Sequence, residues 1–315
     1  MTNSSFDMPP SNFTISHEVS RALKLSLPIV ALESAVITHG LPHPHNLTLA
    51  RDMESRVREE GATPATIAVL EGAIRIGLSE PELTQLADAG DVIKISQRDF
   101  ATAITQGASG GTTVAGTMFA AHAAGIQVFA TGGIGGVHKE ARFDVSTDLH
   151  ALASIPMIVV CAGAKAILDL PSTLEYLESM AVPVVGYQSE DFPAFYSRQS
   201  GLKVNVSVAS PEEVVEFAQA HWGIGMRSAV LVTQPIQADD EIPKQQMDPL
   251  IARASQEAIE KKIQGQELTP YLLSRLNELS NGRTLRANLA LLLNNATLAA
   301  QIARAMARKH RQKVI

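Results

Sequence analysis

Three charged residues lie where an apolar run of sequence would normally exclude them. Glu33 interrupts one run, Lys94 lies inside a second, and Lys165 follows a third at 157–161. Burying a charge is costly unless it is paired or in use. A lysine amine becomes a nucleophile when its pKa falls from about 10.4 toward about 7–8. The three residues are therefore candidates for acid–base and nucleophilic chemistry. The alternative for each is a strand-edge or helix-start residue turned toward water.

A glycine-rich turn, Thr-Gly-Gly-Ile-Gly-Gly at 131–136, follows the strand-like run 126–130. A dinucleotide-binding G-x-G-x-x-G pattern from Gly133 would need glycine where His138 stands. A P-loop lysine is also missing from the turn, so dinucleotides and nucleoside triphosphates are excluded as its ligand. Backbone N–H groups of such a turn suit a single phosphate. We predict that this turn binds a phosphate.

A second glycine entry, Gly-Gly-Thr-Thr at 110–113, opens a helix predicted over 114–124. Free N–H groups at a helix start, together with a hydroxyl such as that of Thr113, suit an anion or a carbonyl. The alternative is a flexible loop in which threonine only caps the helix.

Asp144 and Asp148 are four residues apart, with Ser146 between them. Carboxylates are the ligands that a hard divalent ion such as Mg²⁺ or Mn²⁺ takes, although two acids are a weak metal signal. The alternative is a helix start that Ser146 or Asp144 caps. Three histidines in the loop 38–46 have no carboxylate or cysteine at ligand spacing, which argues against a metal site there.

Three asparagines, Asn288, Asn294 and Asn295, lie on the last predicted helix. Asparagine is unfavourable inside a helix, so we expect at least one of them to face a ligand. An aromatic cluster at 191–196, in a chain with only 4% aromatic residues, is predicted to form a wall or cover. The alternative is ordinary loop packing.

Strand-like and helical segments alternate along the chain. The strand-like segments are 28–37, 64–70, 91–96, 126–130, 157–161, 183–187 and 228–232. The helical segments are 46–60, with Asn46 as its cap, 81–89, 100–106, 114–124, 174–181, 211–221, 246–262, 270–279 and 284–309.

This alternation predicts an α/β fold: a single-domain, three-layer α/β/α sandwich around a mainly parallel or mixed sheet, with a helical C-terminal region. Residues 1–15 are predicted to be a flexible N-terminal tail, and 16–315 the domain. Ligands of such sheets bind beyond the carboxyl ends of the strands.

Composition limits the partners of the 315-residue chain. A formal net charge of −6 gives no general attraction to nucleic acid or anionic membranes. No apolar run approaches about 20 residues, and the first residues lack the pattern of a signal peptide. The single cysteine, Cys161, ends an apolar run and is expected to be a buried small hydrophobe. These features favour a cytoplasmic protein in a reducing compartment.

Several long segments together resemble one family, the pseudouridine-5′-phosphate glycosidases, also called indigoidine synthase A-like proteins. The matching segments are ALES with THG at 31–40, GATPATIAVLEG at 61–72, GGTTV at 110–114, FATGGIGGVH at 129–138, VVCAGAKAILD at 159–169, TLEYLE at 173–178, PAFY at 193–196 and ANLALLLNNA at 287–296, with the Asp144, Ser146 and Asp148 group. They extend over nearly the whole chain apart from its first residues.

The resemblance implies reversible cleavage of pseudouridine 5′-phosphate by water to uracil and ribose 5-phosphate, one divalent ion, usually Mn²⁺, and a homotrimer. It implies Lys165 as the nucleophile, Glu33 as the acid–base and Asp144 as the metal ligand. The substrate contacts that it implies are Lys94, Val114, Ser146, Thr147 and Asp148; His138 and Asn288 are further pocket candidates, and Thr113 is added from its helix-start position.

Two departures from the family pattern stand out. After the last strand the family has Asn-Pro-Ile-Pro, whereas this chain has Thr-Gln-Pro-Ile-Gln at 233–237, which places the nearby pocket wall in question. The residue after Lys165 is Ala166, where serine is common. Neither change removes a candidate catalytic group.

The chemistry expected from this resemblance begins with ring opening. Glu33 protonates the ribose ring oxygen, Lys165 captures C1′ as a Schiff base, and protonation of uracil C5 breaks the C–C bond. Three alternatives stay open: a Schiff-base aldolase or lyase acting on another sugar phosphate, a sugar-phosphate or nucleotide sensor without turnover, and an enzyme of pigment-precursor synthesis.

Overall fold

The computed structural model describes residues 12–139, 144–263 and 265–314. Its strands are β1 (Phe13–Ile15), β2 (Ile29–Leu32), β3 (Thr63–Leu70), β4 (Ala73–Ile76), β5 (Ile93–Ile95), β6 (Gly110–Thr112), β7 (Val128–Ala130), β8 (Val137–His138), β9 (Ile158–Cys161), β10 (Leu168–Asp169), β11 (Val184–Tyr187), β12 (Val206–Val208) and β13 (Val230–Thr233).

Helices connect these strands. They are α1 (His17–Lys24), α2 (His45–Glu59), α3 (Glu80–Asp88), α4 (Phe100–Gln106), α5 (Val114–Ala123), α6 (Thr147–Ser154), α7 (Leu170–Ser179), α8 (Pro211–Gly223), α9 (Lys244–Glu260), α10 (Leu268–Leu279) and α11 (Arg283–Val314), with a π-helical turn at Val36–Gly40 and short 3₁₀ turns at Gln97–Asp99, Ala238–Asp240 and Gly265–Glu267.

One large mixed sheet organises the molecule. Its strand order is β1-β4-β3-β2-β7-β9-β13-β11-β12, and β6 and β5 extend from the far end of β3. All neighbouring pairs from β3 to β12 are parallel, whereas β4 and β6 run antiparallel to β3. The predicted α/β fold with a mainly parallel sheet is therefore confirmed.

Two groups of helices cover the sheet. The long C-terminal helix α11 packs against α2 and α8 and lies on β2, β7 and β9. Helix α5 packs against α6 and contacts β2 and β3. The strands between them, such as β9, are buried along their whole length, which explains their unbroken apolar sequences. No helix in the described part of the chain is long and apolar enough to cross a membrane.

Register places the ends of the central strands level with one another. Leu32 of β2 pairs with Ala130 of β7, and Ala130 pairs with Val160 of β9. In the sheet, β3 lies on one side of β2, and β7, with which the chain later continues to β9, lies on the other side. The gap between β2 and β7 is therefore the topological switch point, where α/β sheets bind their ligands.

Three local predictions are wrong. Phe13–Ile15 form strand β1 beside β4, so the predicted flexible tail of 1–15 extends too far; residues 1–11 lie outside the described part of the chain. The predicted strand 28–37 ends at Leu32, because the chain then turns into the π-helical segment. Asn46 is not the cap of α2: it is buried, and its amide donates to the carbonyls of Ile37 (3.1 Å) and Ala87 (3.0 Å).

Candidate active site

A cavity of about 360 Å³ opens at the carboxyl ends of the central strands. Every site residue predicted from sequence lines it. These residues are Glu33, Lys94, Thr113, Val114, His138, Asp144, Ser146, Thr147, Asp148, Lys165 and Asn288. Side chains that are up to 255 positions apart in the sequence (33 to 288) thus share one chamber, while their chemical roles stay predictions.

Glu33 stands at the switch point. It follows β2 directly, and the hydroxyl of Thr131, which follows β7, donates a hydrogen bond to its carboxylate. Burial raises the pKa of Glu33 above its usual value, and Asp148 raises it further. The positive charges of Lys165 and Lys94 and the Thr131 hydrogen bond act in the opposite direction without cancelling the effect of burial. Glu33 therefore keeps its proton to a higher pH than an exposed glutamate, as a general acid requires.

Lys94 lies on β5 and is half-buried. Burial lowers its pKa, and the nearby positive charge of Lys165 lowers it further, whereas Asp148 and Glu33 raise it. The two lysines thus share the cavity with Glu33 and Asp148, and the positive charge of Lys165 makes protonation of Lys94 less favourable.

Two turns joined by backbone hydrogen bonds position Lys165. The N–H of Ala162 donates to the carbonyl of Gly132 (2.9 Å), that of Ile134 to Gly163 (3.1 Å), and that of Lys165 back to Ile134 (3.1 Å). Gly163 has φ +85°, and a Cβ there would collide with the carbonyl of Pro193, so the turn requires glycine. The lysine backbone is thus fixed against the glycine-rich turn.

The carboxylate of Asp148 links three elements. One oxygen accepts the N–H of Ala115 at the start of α5 (3.0 Å), and the other accepts the N–H of Gly135 (2.8 Å). Asp148 is buried at 4% exposure. It therefore holds α5, α6 and the glycine-rich turn together, and its substrate contact stays a prediction.

The predicted anion cradle at Gly-Gly-Thr-Thr is wrong for most of its N–H groups, because the protein uses them itself. The N–H of Thr112 donates to Ser34, that of Thr113 to the carbonyl of Ile95, and that of Ala115 to Asp148. Thr113 caps α5 by accepting the N–H of Gly116, as the alternative interpretation expected. Within the described residues, the N–H of Val114 has no partner, and Val114 lines the cavity.

The start of α6 forms another part of the cavity wall. Ser146 caps this helix by accepting the N–H of Asp148 (3.2 Å), and the hydroxyl of Thr147 lies 2.9 Å from that of Ser96. Gly132 and Gly133 of the glycine-rich turn also line the cavity, and their N–H groups have no hydrogen-bond partner in the described chain. A helix N-terminus beside free backbone donors suits a phosphate.

Asp144 and His138 lie beside this wall. The N–H of His138 donates to the carbonyl of Asp144 (3.0 Å). Burial lowers the pKa of His138; Lys165 and Lys94 lower it too, while Asp144 raises it. Among the described residues no three His, Cys, Asp or Glu side chains form a metal cage, and Asp148 is committed to backbone donors. The donor set fits a hard ion that keeps most of its water and takes one carboxylate, as Mg²⁺ commonly does.

Sequence reasoning missed several cavity residues. His39 lies on the π-helical turn, and burial followed by the charge of Lys94 lowers its pKa. Its neighbour in the sequence, His43, instead pairs with Asp88 at the surface. A further wall comes from the α9–α10 connection and α10, through Gly265, Thr269, Pro270 and Leu273. The only sequence signal for His39 was its place in a His-Gly-Leu-Pro-His loop, and this pattern does not show which of the two histidines faces the cavity.

The three asparagines of the C-terminal helix have different surroundings. Asn288 lines the cavity, and Asn295 donates to the carbonyl of Thr131 (2.9 Å). Asn294 accepts a hydrogen bond from Gln237 (3.0 Å). From the predicted aromatic cover, Phe195 lines the cavity. The departing segment 233–237 does not line the cavity among the described residues, so this difference does not alter its wall.

Comparisons with known proteins identify the family of the chain. The model of the family described as "Indigoidine synthase A like protein" matches residues 18–305. This chain belongs to the indigoidine synthase A-like family. A protein of Solibacter usitatus is 52% identical over 291 residues, 92% of this chain and 97% of its own length; one of Paracoccus denitrificans is 50% identical over 304 residues, 95% and 100%. Both are named pseudouridine-5′-phosphate glycosidase.

Two solved structures share the fold. An indigoidine synthase A-like protein from Thermotoga maritima is 36% identical, with a TM-score of 0.86 over 94% of this chain and 97% of that one. A prealnumycin C-glycosynthase solved in complex with ribulose 5-phosphate is also 36% identical, with a TM-score of 0.89 over 96% and 100%. The resemblance inferred from the sequence is thereby confirmed at the level of the family.

Gly135→Ala is expected to destabilise the protein. A Cβ at this position would meet the Cβ of Ser146 at 2.6 Å and the Asp148 carboxylate at 2.8 Å, so the start of α6 must move. Overpacking of this kind costs about 1–3 kcal/mol. Urea unfolding measures this loss. Gly223→Ala is the matched control because nothing lies within 4 Å of its Cβ. Equal unfolding free energies for both variants would contradict the packing described.

Proposed function

We propose that this protein catalyses reversible cleavage of the C–C glycosidic bond of pseudouridine 5′-phosphate, giving uracil and ribose 5-phosphate. The names of relatives 46–52% identical over more than nine-tenths of the chain support this activity. The observation that supports it best is the meeting of Glu33, with its raised pKa, and Lys165 in one cavity at the sheet's switch point.

A carboxylate pair would serve this reaction poorly. Ordinary glycosidases protonate an oxygen leaving group, whereas the leaving atom here is carbon C5 of uracil, which has no lone pair. A lysine with one carboxyl group suits a covalent route, in which C1′ is attached to an amine before the C–C bond breaks.

The first step opens the ribose ring. Glu33 donates its proton to the ring oxygen while the C1′–oxygen bond breaks. The neutral amine of Lys165 forms a bond to C1′, and the proton that the nitrogen then releases returns to the Glu33 carboxylate. The positive charge of Lys94 favours that carboxylate between the two transfers.

The second step breaks the glycosidic bond. Glu33 delivers the returned proton to C5 of uracil, and the nitrogen lone pair forms the C1′=N bond as the C1′–C5 bond breaks. Uracil leaves, and the iminium remains on Lys165. Water then adds to C1′ and gives one proton to the Glu33 carboxylate. The remaining hydroxyl proton passes to the nitrogen as the C1′–N bond breaks, which releases ribose 5-phosphate in its aldehyde form and the neutral amine of Lys165.

The remaining wall residues bind the substrate in this proposal. The free N–H groups of the glycine-rich turn, Ser146 and Thr147 hold the 5′-phosphate, as a helix start does. Lys94 and Asn288 orient uracil carbonyls, and His138 completes the pocket. The backbone N–H of Val114 is a further donor to substrate.

One divalent ion, Mn²⁺ by family resemblance, is part of the proposal. Asp144 would be its protein ligand, and the bound ion would supply positive charge beside the anionic substrate. We also propose a homotrimer, from the same resemblance, and a cytoplasmic location, from the single cysteine, which fits a reducing compartment. Light scattering on the purified protein measures the trimer.

A second candidate is the formation of a C-glycosidic bond. The structural relative named as a prealnumycin C-glycosynthase favours it. That relative is 36% identical, whereas those named as glycosidases reach 52%, so the glycosidase is preferred. A sensor without turnover would leave the raised pKa of Glu33 without a use.

Uracil release tests the proposed function. Wild-type protein incubated with pseudouridine 5′-phosphate and Mn²⁺ is expected to release free uracil, detected by chromatography, and to release much less after chelation of the metal. Uridine 5′-phosphate is the control substrate, because its C1′ is bonded to a nitrogen of uracil instead of to C5. Absence of uracil at any metal concentration would reject the activity.

Covalent trapping tests the nucleophile. Ribose 5-phosphate with borohydride is expected to label Lys165, because reduction converts the imine into a stable amine that peptide mass spectrometry locates. Lys165→Met should lose the label. Lys203→Met, at an exposed lysine paired with Glu190, should keep it. Labelling at Lys94 instead would move the nucleophile to the other amine of the cavity.

Thr131→Val tests the electrostatics of Glu33. The lost hydroxyl stabilised the carboxylate, so the titration midpoint of Glu33 should move to higher pH by up to about 1 unit. Carbon-13 NMR of carboxyl-labelled protein, assigned with Glu33→Gln, measures the midpoint. Thr66→Val is the control: it removes another buried Thr–Glu hydrogen bond, to Glu54 (2.6 Å), and should leave the midpoint of Glu33 unchanged. A shift to lower pH would contradict the described hydrogen bond.

A further inference from the structure

Asn295 is a buried amide in the middle of the C-terminal helix. Its side chain has 0% exposure, and its Nδ2 donates to the carbonyl of Thr131 (2.9 Å) and, more weakly, to that of Gly132 (3.5 Å). Its Oδ1 is buried with no hydrogen-bond partner among the described residues.

This arrangement costs stability. A buried acceptor without a donor loses about 1–3 kcal/mol relative to one in water. Leucine has a similar size, is a better helix former, and would avoid the loss. Neither the helix propensity of asparagine nor its unpaired Oδ1 stabilises the fold. The stabilising contribution of Asn295 is therefore the donation from its Nδ2 to the two carbonyls.

Those two carbonyls belong to the glycine-rich turn, in which the Thr131 hydroxyl donates to Glu33. The N–H of Thr131 is held by β9 through the carbonyl of Val160 (3.0 Å), and its hydroxyl reaches Glu33. In the described chain, Asn295 is the donor to the carbonyl of Thr131. Helix α11 therefore fixes the peptide unit after Thr131, and with it the direction of the hydroxyl.

We propose that Asn295 is a positioning residue for Glu33, which it aligns through the Thr131 peptide and hydroxyl. The proposal depends on the role of Glu33 as the acid–base group in the proposed function. The charged groups facing Glu33 are Lys165, Asp148 and Lys94; none of them contacts Asn295 by a hydrogen bond or ion pair in the described structure. Asn295 acts on Glu33 through backbone geometry, without adding charge.

Asn295→Leu tests the proposal, with the titration midpoint of Glu33 as the readout. Once the Thr131 peptide is free to turn, its hydroxyl leaves the carboxylate, and the midpoint should move to higher pH by about half a unit or more. Asn294→Leu is the matched control on the same helix, because Asn294 bonds to Gln237 outside the cavity. It should leave the midpoint unchanged.

A double-mutant cycle makes the test specific. If Asn295 acts through Thr131, Asn295→Leu should add no further shift in a Thr131→Val background. Equal shifts in both backgrounds, or a loss of thermal stability without a shift, would overturn the proposal. Asn295→Ala replaces the leucine variant if that variant does not fold, and the same shift is expected.

The two hypotheses can fail separately. The titration needs neither substrate nor turnover, so it reports on Asn295 even if the wild-type protein releases no uracil. If uracil is released and the midpoint shifts, the pH–rate profile of Asn295→Leu should move in the same direction. If the midpoint stays fixed while uracil release is normal, only the positioning role is lost.

Discussion

The site depends on placing one carboxyl group between two amines at the switch point of a parallel sheet. Burial raises the pKa of Glu33, and the charges of Lys165 and Lys94 act in the opposite direction. Because these opposing effects act on the same group, the positions of its neighbours determine the pKa of Glu33. A group that must give and receive a proton in successive steps needs this balance, and the surrounding backbone must therefore be held firmly.

Polar side chains of the protein hold this backbone in place by hydrogen bonds. Asp148 fills backbone donors of α5 and of the glycine-rich turn, which without it would be open to water or to an anion. Asn295 fixes the other end of the same turn from the opposite direction. The turn is thus held at both ends, and its middle, Gly132 and Gly133, keeps free donors facing the cavity. Rigid edges with a free centre are suited to phosphate recognition, since little ordering remains to be done on binding.

Local sequence patterns were sufficient for the fold and for the charged groups of the site. Apolar runs marked the central strands, and a charge in or after such a run marked Glu33, Lys94 and Lys165. Contacts between distant segments were not accessible. Thr131 meets Glu33 across 98 positions and Asn295 meets Thr131 across 164, and nothing in either local sequence shows the partner. The free anion cradle at Gly-Gly-Thr-Thr was wrong for the same reason, because Ser34, 78 positions from Thr112, accepts the N–H of Thr112, and Ile95 accepts that of Thr113. The π-helical turn that carries His39 has no sequence pattern that separates it from a loop.

The same balance explains how one fold can include proteins named for opposite directions of C-glycoside chemistry. A catalyst lowers the barrier equally in both directions, so groups that help a C1′–C5 bond to break also help it to form. In the proposed reaction, Lys165 and Glu33 act at the ribose ring oxygen, at C1′ and at the leaving carbon, whatever ring bears that carbon. Discrimination between rings must then come from the wall that faces the base. The cavity wall includes Pro270 and Leu273 of α10, a helix outside the central sheet that bears none of Glu33, Lys94 and Lys165.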